Sequence, residues 1–231
     1  LTNVAANLGI SQKKHIVLVA MQDNAHTLAA TLRIYWILRM LGLSNLSVLN
    51  GGFYAYQQAE LPTNNRAIQP IRKLFDAQIQ ANAVAYTPDV KQAIQHYTPL
   101  IDMRLEDFYH GTDKHAFANF SGSISGADNI PWSTLLDDHH HFLPLAQLRK
   151  LFAPALLSAE NEPVIVFSET GHIAAIGWFV LSELLGHKSV KLYDDGYLYW
   201  QSLPNARLQN TDESLGQLYG LIYAPNEESC H

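Results

Sequence analysis

The stretch Pro163–Ala175, with the sequence PVIVFSETGHIAA, decides the fold that this chain can adopt. Its first five residues are apolar and rich in β-branched side chains, a composition typical of a short buried strand. A tight loop, Ser168–Gly171, follows, and an apolar helix, His172–Leu185, comes after it. Backbone N–H groups at such a loop and helix N-terminus favour an anion or a thiolate. We therefore expect a functional pocket here, with Ser168 at its mouth and Glu169 beside it.

A similar order of elements occurs near the start of the chain. A buried strand, His15–Met21, is followed by a turn, a long helix, His26–Leu41, and a second strand, Ser47–Asn50. The segment RMLGLSNLSVLNGGFYAYQQAELP (39–62) also aligns with ELLGHKSVKLYDDGYLYWQSLP (183–204). This similarity predicts an internal duplication. Strands that alternate with crossover helices predict an α/β fold in which each unit is a parallel sheet flanked by helices on both faces.

The expected organisation is two such units in tandem. Residues 1–62 form a partial N-terminal unit, residues 63–86 a connector, and residues 87–231 the C-terminal unit that carries the loop. The first unit lacks a counterpart of Leu100–Pro131, so it has either lost its first strand or been truncated. Between the duplicated parts the pattern predicts five further elements: an edge strand Phe75–Ala81, a helix Pro88–His96, a strand Leu100–Met103, a long polar loop Phe108–Gly126 and a helix Leu145–Leu157.

The composition excludes several classes of partner. The formal net charge is −6 and the Lys and Arg residues are scattered, so we expect neither a nucleic acid nor an anionic membrane as partner. No apolar run reaches the roughly 18 residues of a membrane span. The one cysteine, Cys230, excludes an internal disulfide and a cysteine-based zinc site, and we expect it to be exposed and incidental. No signal peptide is visible, and the compartment stays open between cytoplasm and periplasm.

A second cluster of polar residues, Asp137–His141, has the sequence DDHHH and could in principle bind a metal. Consecutive histidines in a strand or a helix point in different directions, so they seldom converge on one ion. We therefore expect a solvated loop before the Leu145 helix, and no metal or other cofactor.

Several motifs in order resemble the tandem-domain rhodanese-like sulfurtransferases, the thiosulfate and 3-mercaptopyruvate sulfurtransferases. The resemblance spans nearly all of the chain. It rests on RIYWILRMLG (33–42), VLNGGFYAY (48–56), LIDMR (100–104), GSISGADNIP (122–131) and VIVFSETGHIAA (164–175). The resemblance implies that the C-terminal unit is the catalytic one and that the N-terminal unit is a non-catalytic copy.

In that family a loop cysteine accepts a sulfane sulfur, forms a persulfide and passes the sulfur on. The implied partners are a small sulfur-containing anion as donor and a thiol or other thiophilic acceptor, and a protein partner is possible. The implied active-site loop consists of Ser168, Glu169, Thr170, Gly171, His172, Ile173 and Ala174.

The chain departs from the family pattern at several of these positions. Ser168 stands in the place of the cysteine, and a hydroxyl ionises far less readily than a thiol and cannot hold a persulfide. Glu169 adds a negative charge where anionic donors enter; at about 4 Å and an effective dielectric near 20, this costs roughly 4 kcal/mol before screening. Ile173 replaces a small hydroxyl residue, and Phe108 stands where thiosulfate enzymes often have a substrate-binding arginine. We expect impaired or absent sulfur transfer.

Other interpretations of these residues stay open. Asp102 and Arg104, at a strand end, either line the substrate rim or form a buried ion pair that braces the loop, and we favour the brace. The fold could also persist as a non-catalytic binding or regulatory module. A hydrolase that uses Ser168 with His172 as base is the weakest alternative, because the chain lacks the G-x-S-x-G pattern and His172 is expected to point away.

Overall fold

The computed structural model describes residues 1–156 and 163–211. The helices are α1 (Thr2–Asn7), α2 (Ala25–Met40), α3 (Gly52–Gln58), α4 (Thr87–His96), α5 (Glu106–His110), α6 (Leu145–Leu156), α7 (Gly171–Phe179) and α8 (Gly196–Trp200). The strands are β1 (Ile16–Leu18), β2 (Leu46–Val48), β3 (Val84–Ala85), β4 (Leu100–Asp102), β5 (Ser123–Ile124), β6 (Ala127–Asn129), β7 (Val164–Phe167), β8 (Val190–Tyr193) and β9 (Leu208–Gln209). Cys230 lies outside the described residues.

A five-stranded parallel sheet with the order β3-β8-β7-β4-β6 forms the centre of the molecule. All four residues of β7 are buried, because neighbouring strands lie on both of its edges and helices cover both of its faces. Val164 and Val166 pack into the core that holds α2, α6 and α7. Ile165 and Phe167 pack into the opposite core, with α4 and α8. The predicted α/β fold with a parallel sheet flanked by helices is confirmed.

The N-terminal residues form a smaller layer that packs through α2. Strands β1 and β2 make a two-stranded parallel sheet, and α2 connects them. The apolar side of α2 is buried against α7, where the rings of Tyr35 and Phe179 form a T-shaped contact with 5.0 Å between centroids. The indole N–H of Trp36 donates to the carbonyl of Ala83 at 3.0 Å. This packing brings the first 60 or so residues against the sheet that carries the loop.

The predicted edge strand Phe75–Ala81 is wrong. Its backbone pairs with the end of α2 instead of with a strand: the N–H groups of Gln78 and Gln80 donate to the carbonyls of Leu41 and Met40 at 3.0 and 2.7 Å. The last carbonyls of a helix have no partner within the helix, so an extended segment that passes the helix end can satisfy them. A segment that alternates apolar and polar residues, as a strand does, is therefore held beside the helix end without entering the sheet.

The polar loop predicted over Phe108–Gly126 contains regular structure at both ends. It begins inside α5, which ends at Gly111 in the left-handed region (φ 76°). Near its other end, β5 pairs antiparallel with β9, a strand that the sequence pattern did not predict. Two-residue strands are too short to show an alternation of apolar and polar residues, and their pairing depends on the chain returning from far along the sequence.

The helix predicted over His172–Leu185 changes character part of the way along. After α7, residues Val180–Leu184 form a π-helical turn, in which the N–H of Leu185 donates to the carbonyl of Val180 at 2.8 Å. The helix predicted over Leu145–Leu157 is observed as α6 up to the edge of the described region. Among the described residues, no helix combines the length and apolar character needed to cross a bilayer.

Candidate active-site loop

The loop between β7 and α7 encloses the side chain of Ser168. Ser168 directly follows the buried strand and is itself only 1% exposed. Its Oγ accepts the backbone N–H of Ala174 at 3.1 Å and donates to the carbonyl of Thr170. Thr170 is the N-cap of α7, where its hydroxyl accepts the N–H of His172, and the Ser168 carbonyl accepts the N–H of Tyr197 at 2.8 Å. The Ser168 Oγ therefore lies buried between one amide donor and one carbonyl acceptor of the same chain segment.

The helix start at Gly171 is packed too closely to accept any side chain. The N–H of Gly171 donates to the carbonyl of Asp194 at 2.8 Å. The carboxylate of Asp194 forms an ion pair with Arg33 of α2, and both groups lie where a Cβ at position 171 would be. The N-terminal layer thus contacts the loop directly. No local sequence pattern indicated that Arg33 and Asp194 are neighbours of the loop. They are far apart in the chain, and both lie outside the loop.

Asp102 and Arg104 form a buried ion pair beside the loop. The Arg104 Nη2 lies 2.6 Å from Asp102 Oδ2, and its Nε lies 3.0 Å from Oδ1. Nη2 also donates to the carbonyl of Gly122 at 2.7 Å, and the guanidinium lies 4.1 Å from the ring centroid of Tyr197. Asp102 in turn accepts the hydroxyl of Ser123 at 2.6 Å. Most of the hydrogen-bonding capacity of Arg104 is therefore used inside the protein.

The ring of Tyr197 links this ion pair to the loop. Burial raises the pKa of Tyr197 to about 12, so its hydroxyl stays protonated and donates to the carbonyl of Ser121 at 2.7 Å. Because the N–H of Tyr197 also holds the Ser168 carbonyl, one residue contacts both the cation and the nucleophile position.

Glu169 places a partly exposed carboxyl group near the Arg104 guanidinium. Its Oε1 lies 4.0 Å from the Nε of Arg104, and 20% of its side chain is exposed. Burial raises the pKa of Glu169, and the nearby Arg104 guanidinium offsets only part of that rise. Since Arg104 already neutralises Asp102, the ionised form of Glu169 leaves a net negative charge beside Ser168.

The raised pKa of Glu169 leads to a pH-dependent stability prediction. The folded state holds the proton of Glu169 at pH values where the unfolded chain has already lost it, so stability falls as the pH rises between the two pKa values. We expect Glu169→Gln, which cannot ionise, to raise the melting temperature at pH 7 and to reduce the fall in melting temperature as the pH rises above the ordinary pKa of a glutamate. Thermal melts at a series of pH values measure this dependence. Glu60→Gln, at an exposed site, is the control. The same dependence of melting temperature on pH in wild type and in Glu169→Gln contradicts the prediction.

The other predicted site residues occupy the rim or the core. Phe108 lies half-buried on α5, and His172 lies half-buried in the first turn of α7. Ile173 packs against the main hydrophobic core, so a hydroxyl side chain at this position would lie against apolar groups and not in solvent. Within the described residues, the hydrogen bonds of the Ser168 hydroxyl go to Thr170 and Ala174, and none joins it to His172.

The histidines of the Asp137–His141 cluster contact two separate carboxylates, those of Asp23 and Asp137. His140 Nδ1 lies 2.8 Å from Asp23, in the turn after β1, and His139 lies 3.8 Å from the same side chain. His141 lies instead 3.2 Å from Asp137. In the part of the chain that the structure describes, no group of three or more His, Cys, Asp or Glu could hold a metal ion. The loop expected to be solvated is thus tied to the N-terminal layer.

Comparison with known proteins identifies the family. A model of the rhodanese-like domain matches residues 87–203, half of the chain. A putative thiosulfate sulfurtransferase of Haloferax volcanii is 29% identical over 207 residues, which cover 87% of this chain and 71% of that protein. The crystal structure of the Escherichia coli 3-mercaptopyruvate sulfotransferase SseA is 26% identical with a TM-score of 0.69, over 85% of this chain and 71% of that one.

A more distant structure shares the fold alone. The anaerobic ergothioneine biosynthesis enzyme from Chlorobium limicola, in complex with trimethyl histidine, is 17% identical with a TM-score of 0.79 over 89% of this chain. This chain spans about half, 53%, of that enzyme's length. The matched residues 87–203 contain β4, β6, β7 and β8 of the central sheet together with the whole loop from Ser168 to Ala174. The chain therefore belongs to the rhodanese-like domain family.

Proposed function

We propose that this chain is a rhodanese-like sulfurtransferase family protein that keeps the pocket for sulfane-sulfur chemistry but transfers sulfur poorly or not at all. The observation that carries the proposal is the Oγ of Ser168, which accepts the Ala174 N–H at 3.1 Å at the start of α7. An amide donor in this position stabilises a thiolate, and here it donates to a hydroxyl. The substrates of an active relative of this chain are a small sulfur-containing anion and a thiol acceptor.

The charges around the pocket support weak binding of an anionic donor. Glu169 contributes a carboxyl group at the mouth, and the one cation within 4.0 Å of it in the described region, Arg104, is already paired with Asp102. Phe108 supplies an apolar ring at the position from which an arginine would reach a donor anion. A dianion such as thiosulfate therefore meets a repulsive charge and no free cation from these residues.

We also propose that the chain is a tandem of two related units, with residues 1–62 as a partial N-terminal copy, residues 63–86 as connector and residues 87–231 as the unit with the loop. Matching contacts support this. The N–H of Phe53 donates to the carbonyl of Ala20 at 2.8 Å, as the N–H of Tyr197 does to Ser168. Asn24 caps α2 through its side chain, as Thr170 caps α7. By this correspondence, Ala20 is the counterpart of Ser168 in the first unit.

A non-catalytic binding or regulatory module is the second candidate. It is favoured by the buried Ser168 hydroxyl, whose proton is donated to the Thr170 carbonyl within the loop itself. A nucleophile needs a neighbouring base to take that proton, and no histidine lies within hydrogen-bond distance of it among the described residues. The same observation disfavours a hydrolase that uses Ser168. If a fluorophosphonate probe does not label Ser168, the hydrolase is excluded.

The proposal predicts that the wild-type chain does not turn over sulfur donors. We expect cyanide-dependent thiocyanate formation to stay at the level of the enzyme-free blank with thiosulfate and with 3-mercaptopyruvate, because no thiol is present in the loop to carry the sulfur. The Escherichia coli 3-mercaptopyruvate sulfotransferase assayed in the same buffers controls for the reagents. Robust turnover with either donor, at a rate comparable to that of this control enzyme, would refute the proposal.

A further inference from the structure

A cleft lies at the end of the α7 helix that is distant from Ser168. It has a volume of about 310 Å³, which is at the lower end of the range for small-molecule sites. Its walls come from three parts of the chain: the end of α2 and the turn after it, the residues just before β3, and the π-helical turn with the start of β8. The polar side chains in these walls are Arg39, Ser44, Gln80, Asn82, Ser182, Glu183 and Lys188.

The single carboxylate in this wall, Glu183, is fully engaged. It accepts the hydroxyl of Tyr35 at 2.8 Å and the hydroxyl of Ser182 at 3.1 Å. The Nε of Arg39 lies 3.4 Å from its Oε1. Its negative charge is therefore compensated within the protein, and it does not leave the cleft acidic.

The two cations in the wall exceed the one carboxylate by a single positive charge. Arg39 uses Nε for Glu183 and Nη1 for the carbonyl of Leu43 at 3.1 Å, and 35% of its side chain is exposed. Lys188 is exposed and has no hydrogen bond or ion pair to another of the described residues. Ser44 and Asn82, also exposed, add hydrogen-bonding groups on the opposite wall.

The π-helical turn is a second unusual feature of the same wall. It inserts a wider turn into the helix at Val180–Leu184, so that Ser182 and Glu183 line the cleft. Turns of this kind weaken a helix locally and are frequent at functional sites. The cleft thus combines a shaped volume, an excess cation and a local departure from regular helix.

We propose that this cleft binds a small oxyanion, a carboxylate or a phosphate, with Lys188 and the Nη2 group of Arg39 as its cationic partners and Ser44 and Asn82 as hydrogen-bond partners. This site is separate from the Ser168 loop, since the two lie at opposite ends of the continuous helical segment from Gly171 to Leu184. The proposal does not depend on sulfur transfer.

Titration of the full chain with malonate and, separately, with inorganic phosphate tests the proposal. We expect saturable binding by calorimetry for at least one of them, a change in the fluorescence of Trp178, which lines the cleft, and about tenfold weaker binding in Lys188→Gln. Lys91→Gln, an exposed lysine on α4, is the matched control and should bind as wild type does. The two anions distinguish a carboxylate ligand from a phosphate ligand.

Backbone amide shifts then locate the bound anion. Changes centred on Ser44, Asn82 and Ser182 support the cleft, whereas changes centred on residues 168–174 place the anion at the loop and overturn the proposal. Absence of saturable binding for both anions, or equal affinities for Lys188→Gln and Lys91→Gln, overturns it as well.

Discussion

Replacement of Arg104 by methionine should lower the free energy of unfolding by about 3–5 kcal/mol, the cost of removing one partner from a buried ion pair. The side chains of Arg104 and Asp102 are 2% and 0% exposed. Without the guanidinium, the Asp102 carboxylate stays buried with no cation, and the Gly122 carbonyl loses its donor. Urea denaturation measures the loss, and we expect the melting temperature to fall by about 6–20 °C.

Two further variants show whether this cost arises because the Asp102 carboxylate is left buried without a cation. Arg149→Met, on the exposed surface of α6, should change the free energy of unfolding by less than about 0.5 kcal/mol. The double variant Asp102→Asn with Arg104→Met should be more stable than Arg104→Met alone, because it leaves no buried charge without a partner. An Arg104→Met protein that unfolds within about 1 kcal/mol of wild type contradicts the bracing role that we assign to the pair.

Ser168→Cys should give the loop the ability to carry sulfur. The thiolate would attack the outer sulfur of thiosulfate, a sulfur–sulfur bond would form, and sulfite would leave with the bonding electron pair. The Ala174 N–H would then face a sulfur atom near the start of α7, which lowers the pKa of the thiol. We expect the intact protein to gain the mass of one sulfur atom after incubation with thiosulfate, and to lose it on addition of cyanide.

The charge of Glu169 should limit the rate of this reaction. Adding Glu169→Gln to Ser168→Cys should speed loading from thiosulfate by about tenfold or more, since each 1.4 kcal/mol of repulsion removed is a factor of ten. All variants should carry Cys230→Ser, so that the engineered thiol is the only one in the chain. Ser202→Cys, on the surface after α8, is the control for a thiol outside the pocket. A Ser168→Cys protein that loads no faster than Ser202→Cys shows that the pocket has drifted and favours a binding module.

Local patterns in the sequence were sufficient to predict the central elements of the fold. The apolar run at Val164–Phe167 appears as the buried middle strand, and the long apolar helix before Gly42 appears as α2. Both depend on interactions between residues close in the chain and on hydrophobic periodicity, which the sequence displays directly. The roles of Ser168 and Glu169 in chemistry remain predictions, which the variants above can decide.

Only the tertiary structure decided how distant residues meet around the loop and where extended segments lie. Phe75–Ala81 alternates apolar and polar residues as a strand does, yet the N–H groups of Gln78 and Gln80 donate to carbonyls at the end of α2. The ion pair of Arg33 with Asp194 packs against Gly171, and the contact of His140 with Asp23 ties the two layers together. Such contacts depend on how helices and sheets pack in three dimensions, and a single sequence carries no local signal for them.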